Sequence, residues 1–67
     1  MAFTVKIRDA ELAADAAAVA PLNESNQVDR AAAERIVQAL RAKHGAKVVV
    51  SLDEASQSVT AKRLIMG

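Results

Sequence analysis

A chain of 67 residues holds one small domain, because at this size folding hides only about 60% of the surface that the unfolded chain exposes. It has no cysteine to supply disulfides or thiolate metal ligands, and with sixteen alanines and one aromatic residue, Phe3, its 52% hydrophobic content makes a thin core. Nine Lys and Arg against eight Asp and Glu leave a formal charge of +1, which supplies no overall drive toward nucleic acid or anionic membrane.

The N-terminus, Met1-Ala2-Phe3-Thr4-Val5-Lys6, lacks a basic start followed by a long apolar run, and the alanine-rich stretch Ala13 to Ala20 is broken by Asp15 and ends at Pro21. A soluble, cytoplasmic chain without a membrane span is expected. From Phe3 to Arg8 the residues alternate, Phe3, Val5 and Ile7 against Thr4, Lys6 and Arg8, the period of a half-buried strand. Asp9 then stands as an N-cap, with Glu11 in the first turn of a helix from about Ala10 to Ala20 whose apolar stripe is Leu12, Ala16 and Val19. Pro21 disfavours helical geometry at Ala20, and Asn23-Glu24-Ser25-Asn26 is turn chemistry.

Asn26 and Asp29, three apart before an alanine-rich run, match a capping box, so a second helix is expected to start near Gln27. Its inner face is Val28, Ala32, Ile36, Ala39 and Leu40, widened by Val37. Lys43 and His44 suit the last turn and Gly45 a left-handed close, which places the end at His44. A β-branched run, Lys47 to Leu52, a polar turn at Asp53-Glu54-Ala55-Ser56, and a run from Ser58 to Ile65 then predict a hairpin. Val48, Val50 and Leu52 share one face there and Val59 and Ala61 oppose them. The expected fold class is therefore α+β, a two-layer β-α-α-β-β domain with a three-stranded sheet and two helices packed on one face.

The carboxylates sit singly at caps, turns and helix positions, and the one adjacent pair, Asp53-Glu54, reads as a solvated turn. His44 has no second histidine or cysteine with which to share a metal and no local serine–carboxylate arrangement, and two glycines exclude a glycine-rich phosphate loop. No catalytic residue, cofactor, metal or small-molecule substrate is expected. The reading is a non-enzymatic protein-interaction or regulatory module that self-associates as a homodimer through its sheet face or a sheet edge, with Val48, Val50 and Val59 as the contact residues. Arg41, Lys43 and Lys47, with His44, Lys62 and Arg63, form a candidate basic patch.

Three family resemblances accompany this reading. The strand carrying Thr4, Lys6 and Arg8, followed by two helices, resembles over residues 3–44 the ribbon-helix-helix repressors. That resemblance implies an obligate dimer in which the first strand pairs with its copy and those three side chains read the DNA major groove, with Asn26 and Gln27 near phosphate. DNA binding is accordingly the alternative function, although the glycine often found between the helices is missing. Arg30-Ala31-Ala32-Ala33 with Val59-Thr60-Ala61-Lys62 is similar to histidine-containing phosphocarrier proteins. Val28 occupies the place of their active histidine, so phosphoryl transfer does not carry over. The segment from Asp29 to Leu64 is similar in order to the polypeptide-transport-associated βααββ domains, which implies a sheet edge that holds extended segments of other chains.

Overall fold

A computed structural model describes residues 2–64. The elements in order are β1 (Ala2–Ile7), α1 (Ala10–Val19), β2 (Gln27–Asp29), α2 (Arg30–His44), a short 3-10 turn (Gly45–Lys47), β3 (Val48–Asp53) and β4 (Ser58–Arg63). The class is α+β, with four strands rather than three, in the order β2-β1-β4-β3. β1 runs antiparallel to β2 and parallel to β4, and β3 and β4 form the expected antiparallel hairpin. Ile65, expected at the end of the last strand, lies outside the described residues.

The additional strand lies where the second helix was expected to begin. Val28 pairs with Phe3 across the β1–β2 ladder and both side chains are buried, so the backbone of Gln27–Asp29 joins the sheet instead of coiling. Asn26 turns the chain into this strand at φ 57°, and its carbonyl accepts from the Val5 N–H at 2.8 Å. The Asn23 side chain organises the approach, accepting from the Ser25 and Gln27 N–H groups at 2.9 Å each. The cap of α2 is consequently Asp29, whose carboxylate accepts from the Ala32 N–H at 2.8 Å.

Asp9 caps α1 as expected, accepting from the Glu11 and Leu12 N–H groups at 3.0 and 3.1 Å, and the helix stops before Ala20, which is extended ahead of Pro21. α2 ends at His44. Gly45 follows with φ 60° but ψ −133°, a positive-φ conformation distinct from the left-handed helical close anticipated for it.

Alternation along the strands partitions the sheet. Phe3, Val5, Val48, Val50, Val59 and Ala61 are buried together with Leu12 and Ala16 of α1 and Ala32, Ala33, Ile36, Val37 and Leu40 of α2. Thr4, Lys6, Val49, Ser51, Thr60 and Lys62 alternate with these and share the opposite side of the sheet. Leu12, Ile36, Leu40 and Val59 are the largest fully buried side chains, so the core depends on a few aliphatic residues spaced by alanine.

Candidate functional site

β3 forms one border of the sheet and borders no strand except β4 among the described residues. Leu64 donates its N–H to the Lys47 carbonyl at 2.9 Å, a bond that continues the β3–β4 ladder, and the antiparallel register then directs Val49, Ser51 and Asp53 toward β4. Val50 and Leu52 consequently turn N–H and C=O outward. One of these groups is engaged: Arg41 of α2 donates from Nη2 to the Val50 carbonyl at 2.8 Å. Beside this edge runs a groove lined by Glu34, Val37, Gln38, Arg41 and Leu52.

Val48, Val50 and Val59, expected as partner contacts, are core residues, exposed by 8%, 4% and 0%. As branched apolar side chains they join Ile36 and Leu40 in one buried cluster. The apolar residue that does face outward beside the edge is Val49, 41% exposed.

Thr4, Lys6 and Arg8 are solvent-facing in varying degree, Thr4 half-buried and the other two exposed. Their strand, however, is hydrogen-bonded on both sides, to β2 and to β4. With Ala2–Thr4 paired to β2 and Thr4–Ile7 paired to β4, β1 lacks the side free along its length that the intermolecular ribbon of the repressor resemblance requires. Lys6 and Thr60 are register partners, as are Thr60 and Ser51, so a row of one cation and two hydroxyls crosses the sheet.

The anticipated basic patch is divided. Lys43 reaches Asp15 of α1, Nζ to Oδ1 2.7 Å, and His44 Nε2 lies 2.8 Å from the other oxygen of the same carboxylate. Arg41 turns to β3, while Lys47 stays exposed. Arg63 bonds Asp9 at 2.8 Å through Nε and pairs with Glu11 through Nη2, which ties the end of β4 to the start of α1. Hydrogen bonding from Lys43, reinforced by His44, holds the Asp15 carboxyl below its ordinary range, and Asp15 in turn raises Lys43. The Leu12 N–H bond and then the nearby Arg63 charge hold Asp9 down despite partial burial, and Glu11 foremost raises Arg63. Asp53 is lowered by Ser56, through both its hydroxyl and its N–H, and less by the field of Lys6.

These long-range pairs escape sequence reading, since Asp15 and Lys43 lie 28 residues apart and Glu11 and Arg63 lie 52 apart. Their only sequence signal is opposite charge. Among the described residues no group of three or more His, Asp or Glu side chains could hold a metal ion, and no helix is long and apolar enough to cross a membrane. The chain matches no protein-family model, no curated protein and no solved structure in comparisons with known proteins.

Proposed function

We propose that the protein is a non-enzymatic protein-contact module that self-associates along the free edge of β3, with both helices on one face of the sheet and the other face open. The observation that carries this reading is the outward backbone of Val50 and Leu52 on a six-residue border strand. Such an edge is a template for a further strand. A thin, alanine-rich core adds a reason for association, because a second copy contributes apolar contact that one small chain lacks, and the exposed Val49 lies next to the edge. Contact and regulation, rather than catalysis, suit a chain whose carboxylates serve as caps, turn ligands and ion-pair partners.

Sedimentation across a dilution series tests the proposal. Self-association should be concentration-dependent, and Leu52→Pro should shift the protein to monomer with its fold retained, since proline there removes an outward N–H and spares the β3–β4 ladder. A wild-type chain that stays monomeric at high concentration overturns the reading. Including duplex DNA in the same series addresses the repressor-like alternative, for which a DNA-dependent shift abolished by Lys6→Ala is the expected sign.

A further inference from the structure

We infer that the end of the open sheet face formed by Lys6, Arg8 and Lys62 docks an acidic segment of a partner protein that also carries apolar side chains. The inference rests on the protein-contact reading and gives it a second surface, separate from the edge of β3.

Parallel pairing of β1 and β4 brings the two strand ends to the same end of the sheet. A shallow hollow of about 550 Å³ lies there, lined by Lys6, Arg8, Asp9, Ala61, Lys62 and Arg63. Within it Asp9 and Arg63 satisfy each other at 2.8 Å, and Glu11 takes up the remaining reach of Arg63. Lys6, Arg8 and Lys62 enter no ion pair among the described residues, although Lys6 acts at a distance on Asp53. The overall charge of +1 therefore conceals three cations without an ion-pair partner on one end of one face, a local excess of about two charges once Asp9 and Glu11 are set against Arg63.

Charge complementarity selects an anionic occupant, and the flanks of the hollow select its kind. Val49 is the register partner of Lys62, and Leu64 follows the end of β4; among the described residues these are the exposed large hydrophobic ones, 41% and 44% accessible. Cations bordered by apolar side chains match a polypeptide that mixes Asp or Glu with aliphatic residues. A nucleic acid gains little here, because three cations release few counterions and Phe3, the one aromatic side chain, is buried and unable to stack on a base. A second copy docked about a two-fold axis through this patch would set the three cations against their own images, which disfavours that occupant here.

The test measures anisotropy of a short fluorescein-labelled peptide alternating Glu with Val, with the full chain at low salt. Lys6→Glu and Lys62→Glu should each weaken binding about tenfold or more, while Arg35→Glu, the same charge change on the exposed side of α2, should leave it within about twofold. Equal loss in all three variants, no loss in either lysine variant, or tighter binding of duplex DNA that is lost with the same lysines overturns the inference. Lys62→Gln with a thermal melt provides a second arm should the reversed charge unfold the sheet. Sedimentation of the same samples separates the two readings: a monomeric wild type sinks the self-associating edge, whereas failed peptide binding by a normally associating protein sinks this docking site alone.

Discussion

The Arg41 guanidinium donates a 2.8 Å hydrogen bond to the Val50 carbonyl, so a side chain of α2 reaches over the outward edge of β3. Both groups gain, since the carbonyl has no strand partner on that side and the guanidinium is fixed against the sheet. The contact also stands in the path of any strand that would add there, in the manner of charged side chains that blunt exposed edges.

Arg41→Ala should therefore have opposite effects on stability and association. Loss of a half-exposed, charge-assisted bond is expected to cost about 0.5–1 kcal/mol, while self-association tightens by about threefold to tenfold as the Val50 carbonyl becomes available. Thermal melts and sedimentation on the same preparation check both, and an association constant equal to wild type would show that Arg41 does not guard the edge.

Stability should fall on the acid side through Asp15. Its folded carboxyl titrates below the ordinary 3.8, so the contribution is complete above the unfolded value and is lost as pH falls through the folded one. Lys43 is raised above 10.5 by the same contact, so its share is present throughout the neutral range and fades only in strong alkali. Asp15→Asn should lower Tm at neutral pH, with the gap to wild type closing as the medium drops below the ordinary 3.8. A gap that stays constant below that pH would assign the loss to packing of Asp15 rather than to its charge.

The parts of this fold that were legible in the sequence are those written in local periodicity. The alternation of Phe3, Val5 and Ile7 marked β1, and Lys43-His44-Gly45 marked the end of α2. β2 was not legible, because Asn26 and Asp29 satisfy a helix-capping pattern while the choice of strand is made by β1, more than twenty residues away. Alternation likewise placed Val48, Val50 and Val59 on one side of the sheet but could not say whether a helix or a partner covers it. The division of the basic residues between Asp15, Asp9, Glu11 and the Val50 carbonyl depends on topology, so a cluster that looks continuous at the helix–strand junction becomes separate tethers.

Gly45 should be intolerant of any side chain for a purely backbone reason. A Cβ built there meets nothing within 4 Å, yet φ 60° with ψ −133° lies outside the left-handed well that Asn accepts. Gly45→Ala and Gly45→Asn are expected to cost similar amounts, about 1–3 kcal/mol. Chemical denaturation distinguishes this from an ordinary helix close, in which Asn would recover much of the loss.

Val59 and Val49 lie on opposite sides of neighbouring strands and separate core from surface. Val59 is fully buried, so Val59→Ala removes two methylene equivalents and leaves a cavity in the core, a loss of about 2 kcal/mol. Val49→Lys, at a residue 41% exposed, is expected to change monomer stability by less than about 0.5 kcal/mol. Denaturant midpoints should show the first effect, and unfolding slopes should be the same for both variants because the surface exposed on unfolding is nearly unchanged. If Val49→Lys proved the more destabilising at concentrations where the chain is monomeric, the assignment of these two strand faces would have to be reversed.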